Sequence, residues 1–279
     1  MSIIDPSKQT KETVPRPTRE QLCHAEDQVW RFANEQAHNL ERARDSEKKS
    51  FADAFFAACI RVASSNLIAI RQLSSPYLPE CGCILRNLVE ACVDCFWVAS
   101  FLDSDLTKGE RLAENFFLYA QSKFVESAPF YASIAKSDHF FRDIKTPFED
   151  SEAIRKCTAA VVGRTFGNDW RFDPLIFSRK QETKWDKRAQ VAASYAEKAV
   201  NLRGAPFLTN LRVLSSYAHF DPAQISHASD EFRERHFDRN FNMAIGFVYE
   251  MLVFSFKRKH WEPPQALGLL QNSFLWFST

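Results

Sequence analysis

Apolar residues recur along this chain at intervals of three and four positions, the spacing that places side chains on one face of an α-helix. The pattern predicts a first helix over about 18–48, where Thr18-Arg19-Glu20-Gln21 has the spacing of a capping box. A second helix is predicted over about 50–74, followed by a break at 75–79, which contains two prolines. The next segment, about 80–102, is too apolar for a surface helix and should lie centrally in a bundle.

The rest of the chain continues the helical pattern, with one irregular stretch. Residues 167–183 show no periodicity, and we expect a long loop there, a feature that often serves function in compact domains. A short apolar tail over 266–277 is expected to dock on the bundle or on a second subunit. The remaining predicted helices cover about 106–126, 129–143, 150–165, 185–202, a segment carrying residues 212–219, and 229–260.

Composition agrees with an all-α, multi-helix bundle. The 279 residues include 7 Gly and 12 Pro, so long stretches are free of helix breakers. Phenylalanine occurs 26 times, which predicts an aromatic-rich core. We expect residues 1–17, which are polar, to form a flexible N-terminal arm and residues 18–279 to form a single α-helical domain.

Cysteine usage and hydropathy indicate a cytoplasmic protein without a membrane partner. Seven cysteines is an odd number, and the first residues lack the apolar core of a secretory signal, so we expect reduced thiols. The most apolar segment, 241–256, is shorter than a membrane span and contains Glu250. We therefore interpret it as a buried core helix.

Charge excludes a protein that coats nucleic acid along its whole surface, because the formal net charge is +1. A net charge near zero is still compatible with one local site for nucleic acid. Basic residues lie beside aromatic ones at 179–180 and 257–261, and at a third run that we take as the RNA-binding candidate: Lys184, Trp185, Lys187 and Arg188. The alternative is that such runs are solvated helix faces.

Two groups of residues have metal-ligand chemistry, and we expect neither to bind a metal. Cys81, Cys83, Cys92 and Cys95 have ligand-like spacing, but the last two lie in an apolar helix, where free cysteine acts as a small hydrophobic residue. A loop could bring together a second group, His219, Asp221, His227 and His236. The chain also lacks a glycine-rich phosphate loop, and we predict no cofactor.

Arg212 and His219 are the strongest candidates for catalysis. On a helix, residues seven positions apart fall about 20° from each other around the axis, so both side chains would share one face. A guanidinium binds phosphate permanently, and an imidazole exchanges a proton near neutral pH. The alternative is an ion pair for Arg212 and a helix C-terminal cap for His219.

Arg86 and Glu90 are charged residues four positions apart on the otherwise apolar third helix. The simpler interpretation is a buried ion pair, which would be costly to break. The functional alternative places both residues in a cleft beside Arg212, with Asn87 donating hydrogen bonds and Glu90 orienting Arg212 or His219.

Several blocks resemble a widespread bacterial family known only as a domain of unknown function. Residues 85–91 are similar to its R-x-L-x-E stretch, and Trp185 with the basic residues after it, Tyr195 and the segment 214–219 are similar to its later blocks. That last segment includes Ser216 and Tyr217, which the resemblance makes supporting site residues. The similarity covers roughly residues 50–260, in order.

The spacing of Arg212 and His219 also resembles the R-x4-6-H signature of HEPN domains, α-helical bundles of which many are metal-independent ribonucleases. The position after the arginine is often Asn, Asp or His in that superfamily, and here it is Val213. The resemblance implies a HEPN-like core with extra helices and a homodimer whose Arg212 and His219 residues line one cleft. It further implies RNA as substrate and a setting in phage defence or a toxin system, with an antitoxin or other protein partner.

Two other functions remain open from the sequence. One is a non-catalytic helical module that binds a nucleotide, RNA or a protein partner. The other is a helical scaffold whose aromatic surface serves assembly alone. Catalysis requires Arg212 and His219 to be exposed in one cleft, whereas a scaffold would bury both and expose an apolar patch.

Overall fold

The computed structural model describes residues 17–46, 50–73, 78–116, 185–200 and 230–270. These residues are 93% helical and form seven helices without a strand, which confirms the all-α bundle. The helices are α1 (Arg19–Ser46), α2 (Phe51–Gln72), α3 (Leu78–Ser104), α4 (106–116), α5 (Trp185–Val200), α6 (Asp230–Lys259) and α7 (Gln265–Leu270).

Local capping sets the first helix boundaries. The backbone N–H of Gln21 donates to Thr18 Oγ1 at 3.2 Å, and that of Thr18 donates to Gln21 Oε1 at 2.8 Å, which confirms the capping box. Ser50 caps α2 by accepting from the Asp53 N–H at 3.1 Å. In contrast, α3 begins at Leu78, two residues earlier than predicted, because Pro79 is tolerated in the first turn of a helix.

The core lies between α6 and the helices around it. α6 packs against α1, α2 and α3, while α3 also contacts α5. The central position predicted for α3 is confirmed, and the buried core helix predicted over 241–256 corresponds to α6, which is buried on every side between residues 240 and 249. Aromatic rings join the helices, as the Phe content predicts: Phe254 of α6 lies edge-on to Phe56 of α2 and Phe96 of α3, at 5.8 and 5.3 Å between centroids.

Helix α7 belongs to the apolar tail predicted at the C-terminal end. α6 is followed by His260 in the left-handed region (φ 53°), and the Trp261 N–H donates to the Phe256 carbonyl at 3.0 Å. The chain then turns into α7, which packs on α1 and buries Leu267 and Leu270. The tail therefore docks on the bundle of its own chain over residues 265–270.

Within the described residues, one helix, α2, is long and apolar enough to cross a membrane by length and composition. More than half of its most apolar window, 56%, is buried inside the bundle. Helices at the core of soluble proteins give the same pattern, and α2 packs against α1, α3 and α6. Burial in this bundle accounts for the apolar sequence of α2.

A carboxylate from α4 closes the N-terminal end of α2. Glu110 accepts the backbone N–H groups of Phe51 and Ala52 at 2.7 and 3.1 Å, and it also accepts the Ser50 hydroxyl at 2.8 Å. The close approach of α4 to the end of α3 depends on Gly109, where a Cβ would lie 2.5 Å from Leu102 Cγ. Because the first N–H groups of a helix lack intrahelical partners, Glu110 satisfies donors that would otherwise be unpaired.

Replacing Glu110 with alanine is expected to lower the free energy of unfolding by about 1–2 kcal/mol, the loss typical of a helix cap. Urea denaturation followed by circular dichroism measures the change. Glu35→Ala is the matched control, since Glu35 is exposed on α1 and should change stability by less than about 0.5 kcal/mol. Equal losses in the two variants would show that Glu110 does not cap α2.

Candidate functional site

The residues predicted to be catalytic lie outside the described residues. This applies to Arg212, His219, Ser216 and Tyr217, and to Lys184 and the predicted loop at 167–183. Their roles therefore stay predictions. The part of the chain that the structure describes holds the R-x-L-x-E block on α3 and residues 185–188 of the basic run at the start of α5.

A groove of about 520 Å³ runs between α2, α3 and α4. Its size is within the range of about 300–1,000 Å³ that is usual for small-molecule sites. Two residues of the R-x-L-x-E block, Asn87 and Glu90, line it together with Asp94. The other lining residues come from all three helices: Phe55, Ala58, Cys59, Val62, Asn66, Ala91 and Phe116.

Arg86 and Glu90 form the predicted ion pair, with Arg86 Nε donating to Glu90 Oε1 at 2.9 Å. The prediction that this pair is buried is wrong, because 32% of the Arg86 side chain and 36% of the Glu90 side chain are exposed. α3 is central, yet Glu90 lies on the edge of it that lines the groove. The neighbouring Asn87 is exposed as well.

Asp94 is a site residue that the sequence analysis missed. It lies one helical turn after Glu90 on α3, and Arg188 of α5 donates to its Oδ1 from Nη1 at 2.6 Å. The Arg188 guanidinium also lies 5.6 Å from the centroid of the Trp97 ring. The sequence held a signal for Asp94, because a charged residue in a helix predicted to be central needs a partner when it is buried.

The arginine of the predicted RNA-binding run is thus engaged by its own chain. Arg188 is 20% exposed in its pair with Asp94, whereas Lys187 beside it is exposed. Trp185 begins α5. Arg188 therefore positions α5 against α3, and any contact it makes with RNA would compete with Asp94.

The basic run at the end of α6 also binds this chain. Lys257 Nζ donates to the Ala199 carbonyl at 3.2 Å, Arg258 Nη1 to Asp103 at 2.8 Å and Lys259 Nζ to Asp53 at 2.9 Å. These three contacts tie α6 to α5, α3 and α2. Tyr195, one of the residues that carry the family resemblance, donates a hydrogen bond from its hydroxyl to the same Asp103 at 2.5 Å. Lys257 and His260 are exposed, so the run is a partly solvated face whose three cations also bind their own chain.

Two carboxyl groups have pKa values well above their ordinary range. Burial raises the pKa of Asp94 to about 7, with Arg188 opposing the shift and the negative charge of Glu90 adding to it. Burial likewise raises the pKa of Glu250 to about 7, against the opposing effect of Lys257. Burial therefore favours the protonated form of each group more than it would for an exposed carboxyl.

The pKa of Asp94 predicts how stability depends on pH. Between its ordinary pKa of 3.8 and about 7, the folded protein holds a proton that the unfolded chain releases, so this group makes the fold less stable as pH rises through that window. In wild type this group lowers the free energy of unfolding between pH 5 and pH 7. In Asp94→Asn that decrease should be smaller by about 1–2 kcal/mol. Urea denaturation at both pH values measures it, and a slope equal to that of wild type would contradict the assignment.

The four cysteines of the first candidate metal group differ in burial. Cys81, Cys92 and Cys95 are buried, and Cys83 is partly exposed. Burial raises the pKa of the Cys81 thiol to about 12 and those of Cys92 and Cys95 above their ordinary range, which disfavours the thiolate that binds metals. Among the described residues, no group of three or more His, Cys, Asp or Glu could hold a metal ion.

No protein-family model, no curated protein and no solved structure matches this chain.

Proposed function

We propose that this chain is a metal-independent endoribonuclease of HEPN type, with Arg212 and His219 as its catalytic residues. One observation in the described part of the chain supports it: Asn87 and Glu90 of the R-x-L-x-E block line a groove. Asn87 is exposed, and the Arg86–Glu90 pair is about one-third exposed. A purely structural ion pair on a central helix would be expected to be buried.

In the proposed reaction, the ribose 2′-oxygen attacks the adjacent phosphorus and the bond from phosphorus to the 5′-oxygen breaks. His219 takes the proton of the 2′-hydroxyl or supplies one to the leaving 5′-oxygen. Arg212 binds the phosphate and stabilises the charge that develops on it. The products are a 2′,3′-cyclic phosphate and a free 5′-hydroxyl. No metal is required, because the nucleophile belongs to the substrate.

The biological setting proposed here follows the resemblance. The protein would act in the cytoplasm as a homodimer, with the Arg212 and His219 residues of both protomers lining one cleft. Its role would be in phage defence or in a toxin system, where an antitoxin or another protein restrains it.

A second candidate function is a non-catalytic helical module that binds a nucleotide, RNA or a protein. Within this class the chemistry of the groove favours a protein as the ligand, because the carboxylates of Glu90 and Asp94 disfavour phosphate and Arg188 is already paired with Asp94. In this case the groove, and not the segment of Arg212 and His219, would be the main site.

Incubation of the full chain with mixed cellular RNA in excess EDTA separates the two functions. Cleavage that persists in EDTA supports the metal-independent ribonuclease. RNA that is bound but left intact, with and without Mg²⁺, would contradict catalysis and favour the binding module.

A further inference from the structure

A second cavity, of about 360 Å³, lies between α1 and α2 and shares no lining residue with the groove. Its volume falls within the range of about 300–1,000 Å³ that is usual for small-molecule sites. The residues that line it come from both helices: Glu26, Asp27 and Trp30 of α1, and Ile68, Arg71 and Gln72 of α2. We call it the α1–α2 cavity.

The charged side chains of the α1–α2 cavity are two carboxylates and one guanidinium. Arg71 Nη1 donates to Glu26 Oε2 at 2.6 Å and also binds Asp27. One positive charge therefore faces two negative charges, which leaves a formal charge of −1. The Glu26 side chain is 2% exposed, so water compensates little of the charge on it. A monovalent cation would neutralise the cavity, whereas an anion would be repelled.

Both carboxylates have an oxygen that Arg71 does not bind. The arginine contacts Oε2 of Glu26 and Oδ1 of Asp27. Within the part of the chain that the structure describes, no donor lies within hydrogen-bond distance of the other oxygen of either group. A carboxylate has about four acceptor positions, and a primary ammonium carries three N–H donors. These oxygens can therefore accept hydrogen bonds from an ammonium group beside Arg71.

Trp30 and Ile68 form the apolar wall of the α1–α2 cavity. Trp30 is 37% exposed, and among the described residues no aromatic ring or cation packs against its indole. Tryptophan is the best aromatic partner for an organic cation. Ile68 is partly exposed and adds aliphatic surface for a carbon stem. A divalent metal ion would gain nothing from this wall, and Arg71 would repel it.

We infer that the α1–α2 cavity binds a small organic cation, a primary ammonium on an alkyl stem. The ammonium donates to the carboxylates of Glu26 and Asp27, and the stem lies along Trp30 and Ile68. Because the ligand contacts both helices, its binding stabilises the packing of α1 on α2. This inference goes beyond the proposed function and does not rest on it.

Three probes with one stem and different head groups test the charge of the ligand. Isothermal titration calorimetry on the full chain compares n-pentylammonium, 1-pentanol and pentanoate. We expect pentylammonium to bind at least about tenfold more tightly than pentanol, because hydrogen bonds between charged groups are stronger than neutral ones. Pentanoate should not bind. The thermal midpoint should rise with the concentration of pentylammonium, since the ligand binds the folded protein.

Variants of α1 test the residues. Asp27→Asn removes one charge from a side chain that is 49% exposed and should weaken pentylammonium binding about tenfold. Glu35→Gln is the matched control, because it removes the same charge from an exposed position on α1 that does not line the cavity. It should bind as wild type does. Trp30→Leu keeps an apolar wall without the aromatic face and should weaken binding at least about threefold.

Three outcomes overturn the inference. The first is binding of pentylammonium no tighter than that of pentanol. The second is equal weakening by Asp27→Asn and Glu35→Gln, which would indicate general attraction to the charge of the protein surface. The third is wild-type binding by Trp30→Leu, and this variant decides alone if Asp27→Asn does not fold. RNA cleavage is measured separately, so the loss of either proposal leaves the other standing.

Discussion

Arg71→Ala is expected to destabilise the fold by about 2 kcal/mol, because it leaves the buried Glu26 carboxylate without its partner, although water screens part of the pair at Arg71, which is 39% exposed. Arg71 of α2 donates from Nη1 to Glu26 Oε2 at 2.6 Å and also binds Asp27 on α1. The Glu26 side chain is 2% exposed. Burial raises its pKa, and Arg71 opposes that rise. Without Arg71, Glu26 must remain as an unpaired buried charge or take up a proton.

The same pair of helices provides a matched control for this variant. Arg61 of α2 binds Glu41 of α1 through two hydrogen bonds of 2.9 and 2.8 Å, but both side chains are more than 40% exposed. Arg61→Ala should therefore cost less than about 1 kcal/mol. Adding Glu26→Gln to Arg71→Ala should recover much of the lost stability, since the buried group is then neutral. Equal losses from Arg61→Ala and Arg71→Ala in urea denaturation would contradict this account.

His219→Ala is expected to lower the rate of RNA cleavage by about 10²- to 10⁴-fold, the contribution usual for a general acid or base. Arg212→Ala should lower it by about 10²- to 10³-fold, because the phosphate loses its charge-stabilising contact. Arg212→Lys should fall between wild type and Arg212→Ala, since lysine keeps the charge without the planar pair of donors. Single-turnover cleavage of a labelled RNA measures all three rates.

Folding has to be separated from catalysis in these variants. Far-ultraviolet circular dichroism and the thermal midpoint of each should match those of wild type. A His219→Ala variant that folds and cleaves at the wild-type rate would remove His219 from the mechanism.

Local sequence was enough to predict α1, α2, α3, α5 and α6, because their signals lie within one turn. The capping box at Thr18 and Gln21 and the cap at Ser50 are contacts three residues apart. The start of α3 was misplaced because Pro79 can either break a helix or occupy its first turn. The central positions of α3 and α6 followed from their continuous apolar character.

The groove could not be predicted in the same way. Its walls come from three helices, and local sequence does not show which helices pack together. Arg188 and Asp94 are 94 residues apart, and Glu110 reaches an N-terminus 59 residues away. Periodicity shows which face of a helix is apolar, but it does not show which surface charge finds a partner. For this reason the sequence predicted Arg188 as an RNA contact, and the ion pair of Arg86 and Glu90 was expected in the core.

The most direct test of the proposed function is analysis of the RNA ends produced by the purified full chain in excess EDTA, with folded His219→Ala beside it. We expect wild type to leave 2′,3′-cyclic phosphates and 5′-hydroxyls and His219→Ala to leave the RNA intact over the same period. Intact RNA with both proteins, or the same cleavage by both, would contradict the assignment of a metal-independent ribonuclease centred on His219.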